Sequence, residues 1–162
     1  MTVSEIMRKM IAHSSGNLHD INHFIKVWTY AKTIGELEGL PPETLFILEA
    51  AAIVHDIACP LCREKYGNTD GKLQERESAP LVEAFFKNSG LSEQQAARIS
   101  YLVSHHHTLT DINGVDYQIL IEADYIVNAG ESGYPPENIR NACGRIFKTR
   151  AGTALLKSIY SF

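Results

Sequence analysis

The residues with the most chemistry to offer in this chain are His23, the adjacent pair His55-Asp56, the triplet His105-His106-His107 and the single Asp124. Imidazole nitrogens and carboxylate oxygens are donors of intermediate hardness. They suit a divalent cation such as iron, manganese, zinc, nickel, cobalt or magnesium without choosing among them. The doublet carries particular weight. It closes the apolar run Ala50-Ala51-Ala52-Ile53-Val54, which reads as a helix with almost no solvated face, and an unpaired carboxylate at the end of such a run is very costly to bury. A metal ion would satisfy both side chains.

These residues need a scaffold that brings four distant stretches of chain together. Apolar residues recur at three and four positions through most of the sequence, and strict alternation is hard to find, so the reading is all-α with no sheet. A first helix runs over about 3–13 and ends in the turn Ser14-Ser15-Gly16-Asn17. A second starts near His19 or Asp20, carries Ile21, Phe24, Ile25, Trp28, Ala31, Ile34 and Leu37 as its core stripe, and stops at Gly39. His23 lies among these apolar positions and can face inward.

Pro41-Pro42-Glu43 opens a third helix, proline being tolerated in a first turn where a missing N–H costs nothing. It runs to His55-Asp56 and is expected to stop at Pro60. From about 58 to 72 the chain turns polar, with Gly67, Asn68, Asp70 and Gly71, and reads as a long loop beside the candidate ligands, of the kind that serves as a lid. Helices are expected again over about 73–88 and 92–105, the latter begun by a capping box of Ser92 and Gln95 with Leu91 before it. Asp111 to Gly114 makes a turn. A helix over about 117–128 holds Asp124 among Ile121, Ala123, Ile126 and Val127. Pro135-Pro136 starts another, and a short final helix covers about 153–159.

The 162 residues suit one domain over residues 1–162, large enough to bury its own core. Net charge is −4 with a pI near 6.0, which lacks the basic footprint of a duplex nucleic-acid binder. Cys59, Cys62 and Cys143 are an odd count, so reduced thiols and a cytoplasmic setting are expected. No apolar stretch reads as a membrane span, and the N-terminus lacks the pattern of a signal peptide. Cys59-Pro60-Leu61-Cys62 has the spacing of half a zinc site, but no second pair follows.

Set in order, a histidine in His23-Phe24-Ile25-Lys26-Val27, the doublet in Ala51-Ala52-Ile53-Val54-His55-Asp56-Ile57 and an aspartate in Glu122-Ala123-Asp124-Tyr125 resemble the pattern of the HD-domain superfamily of metal-dependent phosphohydrolases. The resemblance spans most of the chain and implies a single-domain helical bundle of the HD type. It implies that His23, His55, Asp56 and Asp124 hold a first metal. Dinuclear members add histidines between the doublet and the last aspartate, which implies His106 and His107 as further ligands, with His105 solvated or supporting them. Where those members place a first added histidine, this chain has Gln74-Glu75-Arg76-Glu77-Ser78. Glu77 is the carboxylate available there, and its reading as a solvated helix residue stands equally open, so the metal count is one or two. His19 lies one turn before His23, where some relatives place another ligand. Cys59 stands where certain relatives carry an acid or lysine three positions after the doublet.

The resemblance further implies hydrolysis of a phosphate ester by metal-activated water, with Asp56 able to bridge two ions. Lys26, Lys72 and Arg76 are candidate phosphate contacts, Arg76 because its planar fork can pair two oxygens. A nucleotide or another small phosphorylated metabolite is the expected partner, with neither duplex nucleic acid nor membrane. Two alternatives are carried: a di-iron oxygenase of the same superfamily, and a non-catalytic nucleotide-binding regulatory module.

Overall fold

The computed structural model describes residues 1–162 and contains helices and turns only. Nine helices follow one another: α1 (Val3–His13), α2 (Leu18–Leu37), α3 (Pro42–Val54), α4 (Cys59–Tyr66), α5 (Gly71–Phe86), α6 (Glu93–Val103), α7 (Val115–Glu131), α8 (Pro136–Arg145) and α9 (Arg150–Tyr160). The all-helical expectation matches this architecture. Helix α3 is the axis of the bundle, with α1, α2, α6 and α7 packed around it. Every residue from Leu48 to Val54 is buried, and such a helix needs neighbours on all sides. One apolar core runs from Ile6 and Met10 of α1 through α3 to Leu156 of α9.

Local chemistry explains where the helices begin. Thr2 and Ser92 each cap α1 and α6 in a full capping box, with Glu5 and Gln95 returning the hydrogen bond. Asn17 caps α2, accepting from the Asp20 N–H at 3.2 Å, so that helix starts one residue before the position read from the sequence.

The segment after the doublet differs from expectation. Pro60 does not stop a helix; it sits in the first turn of α4, where its missing N–H leaves no hydrogen bond unmade. The chain instead breaks between α3 and α4, at His55 to Ala58, and α4 ends at Gly67 with φ of 73°. Of the expected lid, only Ala58 and residues 67–70 lie outside a helix. Cys59 and Cys62 are therefore buried helical thiols rather than loop thiols. The combined stretch Pro42–Tyr66 is long and apolar enough to cross a membrane, which the sequence reading passed over. Its apolarity is that of a core helix, since most of it is buried within the bundle and the turn at the doublet divides it.

Candidate metal centre

The break between α3 and α4 creates the site. With the helix ended at Val54, His55 and Asp56 occupy a turn under the mid-section of α7 and beside α2 rather than pointing around a continued helix. His55 is fully buried, and its Nδ1 lies 2.7 Å from the Ala52 carbonyl oxygen. That contact places the proton on Nδ1 and leaves Nε2 as a lone-pair donor. His106 repeats the arrangement at the end of α6, its Nδ1 2.8 Å from the Val103 carbonyl oxygen. His23 on α2 has a charged partner instead: its Nδ1 is 2.8 Å from Glu131 Oε2 at the end of α7, and Glu131 also receives Lys26 Nζ at 3.0 Å. Carboxylate and carbonyl partners of this kind orient metal-binding imidazoles.

The free donor atoms converge. His23 Nε2 is 3.2 Å from both His55 Nε2 and Asp124 Oδ1. Asp56 Oδ2 is 3.5 Å from His23 Nε2 and 3.4 Å from His55 Nε2, and Asp124 Oδ1 is 3.5 Å from His55 Nε2. The other oxygen of Asp56, Oδ1, lies 3.5 Å from His106 Nε2. Two groups of potential ligands thus share Asp56: His23, His55 and Asp56 form one, and Asp56, His106 and His107 the other, with the atoms of each within 4.8 Å of one another. Metal to ligand distances of about 2.0–2.2 Å put adjacent donors roughly 3.0–3.5 Å apart around one ion, which is the spacing seen.

Two further observations show that the residues fit a cation. His106 Nε2 and His107 Nε2 are buried and have no hydrogen-bond partner, and buried polar atoms are rarely left so. The charge state points the same way. Burial by itself would push the carboxyls of Asp56 and Asp124 up, but the imidazoles of His55, His106 and His23 hold both well below the usual carboxylate range. Burial would likewise depress His23 and His55, yet the same two carboxylates raise both. Two anions are therefore confined in a space where protons on histidine stand in for a larger positive charge. Burial together with the neighbouring His106 pushes His107 down to about 4, so it is neutral and able to ligate at pH 7.

The remaining sequence candidates lie elsewhere. Glu77 accepts from the Tyr66 hydroxyl at 2.6 Å and pairs with Lys65 and Arg76 at 3.2 Å each; these partners, Tyr66 first, hold its carboxyl below the usual range. On α5 the inward positions are Gln74 and Ser78, and Glu77, next to Ser78, falls off that face. Gln74 takes the place the sequence reading offered to Glu77. Its Nε2 donates to the Thr69 carbonyl at 2.9 Å, while its Oε1 is buried without a partner. Arg76 donates to the Tyr66 hydroxyl at 2.7 Å, Lys72 binds Glu75 at 2.9 Å and Lys26 binds Glu131. None of the three lines the cavity at the site. His105 stacks on Tyr101 and bonds to its carbonyl oxygen at 2.7 Å, away from the cluster. His19 reaches the cavity but is largely exposed and stands apart from the cluster.

The cluster opens into a cavity of about 480 Å³. Its floor is formed by His23, Asp56, His106, His107 and Asp124; Asp20, Cys59 and Arg63 line another part, and Leu109, Tyr125, Tyr134 and Ile146 an apolar one. Burial pushes the Cys59 thiol far up, with the Asp56 charge adding to the effect, so it is no nucleophile. Sequence reasoning missed Arg63, Asp20, Gln74, Asn128 and Glu131. Arg63 was hidden by reading α4 as a loop. Asn128 and Glu131 did leave a signal, since each lies one turn further along α7 from a residue on the Asp124 face, and Asn128 Nδ2 donates to Asp124 Oδ1 at 2.9 Å.

The central doublet, flanking histidines and distal aspartate of this all-helical bundle meet in one buried cluster of groups that could hold a metal ion. The sequence model of the HD domain matches residues 20–143, and the chain belongs to that family, whose members are mostly metal-dependent phosphohydrolases. Comparison with curated proteins finds no match, and comparison with solved structures finds none.

Proposed function

We propose that this chain is a phosphohydrolase that cleaves a phosphate ester of a nucleotide or other small phosphorylated metabolite, with two divalent ions resident in the cluster. The observation that carries the reading is the shared carboxylate: Asp56 turns one oxygen to His23 and His55 and the other to His106, at the floor of a cavity large enough for a small metabolite. His23, His55, Asp56 and Asp124 would hold one ion, and Asp56, His106 and His107 the other. Bound divalent ions supply water ionised near neutral pH and neutralise phosphate oxygens.

The protein's own part is to orient and exclude. The Ala52 and Val103 carbonyls fix the tautomers of His55 and His106, and Glu131 does so for His23 while raising its basicity. Asn128 holds one lone pair of Asp124 Oδ1, so the carboxylate presents a defined face to the cluster. Burial of His55 and His106 keeps bulk water from competing for their nitrogens. An enzyme acting on small molecules rather than on duplex nucleic acid is in keeping with the acidic net charge.

The test is hydrolysis by pure, metal-loaded protein of a panel of phosphomonoesters, nucleotides and cyclic dinucleotides. Release of phosphate, a nucleoside or, from a cyclic dinucleotide, the ring-opened nucleotide, lost in His55→Ala, is expected from at least one member. Failure across the panel overturns the proposal, and oxygen-dependent turnover by an iron-loaded form would replace it with the oxygenase reading.

A further inference from the structure

One side chain lining the cavity carries a permanent positive charge: Arg63 of α4. Cys59, one turn earlier on the same helix, also lines the cavity, so this face of α4 is turned toward the cluster. Arg63 does not hang free. Its Nη2 donates to Asp20 Oδ2 from the first turn of α2, and Asp20 is itself largely buried, its side chain 13% exposed. That is the one hydrogen bond the Arg63 side chain makes in the protein. A guanidinium has five N–H donors in a rigid fork, so Asp20 fixes its orientation and leaves the others for an acceptor in the cavity.

We propose that Arg63, held by Asp20, is the recognition residue for the phosphoryl group, and that the site takes a phosphomonoester in preference to a polyphosphate. The inference rests on the phosphohydrolase reading and names its substrate class. A planar fork matches the geometry of phosphate oxygens and can bind two at once. A second or third phosphate finds no permanent cation of its own, because beyond the floor the polar lining consists of Asp20, Thr69, Gln74, Asn128 and the largely exposed His19. The apolar part, Leu109, Tyr125, Tyr134 and Ile146, suits an uncharged ring or aliphatic leaving group. The other basic side chains near these helices, Lys26, Lys65, Lys72 and Arg76, are each paired with a carboxylate outside the cavity.

The experiment titrates inorganic phosphate calorimetrically into metal-loaded protein, wild type and the variants Arg63→Ala, Arg63→Lys and Asp20→Asn, with metal content measured in each. Loss of a charge-assisted contact should weaken phosphate binding in Arg63→Ala by roughly ten- to a hundredfold with metal content unchanged. Arg63→Lys should recover part of it, because the charge remains and the fork does not, and Asp20→Asn should lose less than Arg63→Ala. Arg63→Gln serves the same purpose if the alanine variant does not fold. Among nucleotides sharing one base, the monophosphate should have the highest kcat/KM. Phosphate binding that is absent in the wild type or unchanged in the Arg63 variants overturns the assignment, as does a preference for the triphosphate. The two readings fail separately: Arg63-dependent phosphate binding without hydrolysis of any ester removes the enzyme and keeps the recognition residue, whereas ester hydrolysis with an unchanged KM in Arg63→Ala does the reverse.

Discussion

Replacing Gly152 by alanine should destabilise the protein although it adds a better helix former. Gly152 lies in the first turn of α9 and is buried. A Cβ there would stand 2.0 Å from Glu122 Oε2 and 2.7 Å from Thr149 Oγ1. Glu122, fully buried on α7, accepts from Gln118 Nε2 at 2.7 Å, from the backbone N–H groups of Lys148 at 2.7 Å and Thr149 at 3.0 Å, and from the Thr149 hydroxyl. It therefore anchors Thr149, the residue that caps α9, from a neighbouring helix, placing a carboxylate near the end where the helix dipole favours one.

Restoring an ordinary contact, no closer than 3.0 Å, requires Oε2 or the start of α9 to move by about 1 Å, which carries one or more of these bonds beyond hydrogen-bonding range. Losing one charge-assisted bond costs about 1.5–3 kcal/mol, and leaving a buried N–H unpaired adds to it; the helix propensity gained returns about 1 kcal/mol. The net expectation is a loss of about 2 kcal/mol, seen as a lower urea midpoint and a Tm lower by roughly 4–8 °C for a chain of this size. A Gly152→Ala protein as stable as wild type, or more so, would refute the reasoning, for it would mean that propensity alone governs this turn and that Glu122 is not confined.

Four other outcomes are expected. His55→Ala should weaken metal uptake, whereas Glu77→Ala should leave the metal content by elemental analysis as it is in the wild type, because Glu77 is committed to Tyr66, Lys65 and Arg76. Glu131→Gln should weaken metal affinity by about 10–100-fold while the circular dichroism stays helical, since it removes the carboxylate behind His23 and not a ligand. Gly71→Ala should disturb His107 selectively: its Cβ would come within 2.7 Å of the imidazole Cγ, so the metal stoichiometry should fall with the fold intact. Burial pushes Tyr117 up to about 12 from an ordinary value of 10.0. The unfolded chain therefore ionises first as the pH rises, the folded state binds more protons between pH 10 and 12, and stability should fall across that window, less steeply in Tyr117→Phe.

The residues and their order were enough to find the bundle and to single out the histidines and carboxylates that the fold gathers, because both rest on local rules. Capping boxes at Thr2 and Ser92 and a 3.6-residue apolar period are written in neighbouring positions, and His23, the His55-Asp56 doublet and Asp124 differ sharply in type from the apolar residues around them. What the sequence left ambiguous was decided by direction in space. Pro60 can end a helix or begin one, and only the packing of α4 with its buried Cys59 and Cys62 selects the second, which in turn brings Arg63 to the cavity. Glu77 and Gln74 lie on the same helix three positions apart, and the contact of α5 with α6 turns the amide inward and leaves the carboxylate to Tyr66. The pairing of Arg63 with Asp20 and of Glu131 with His23 joins residues separated by 43 and 108 positions. Contacts at that separation depend on how whole helices dock, and no periodicity within one helix records them.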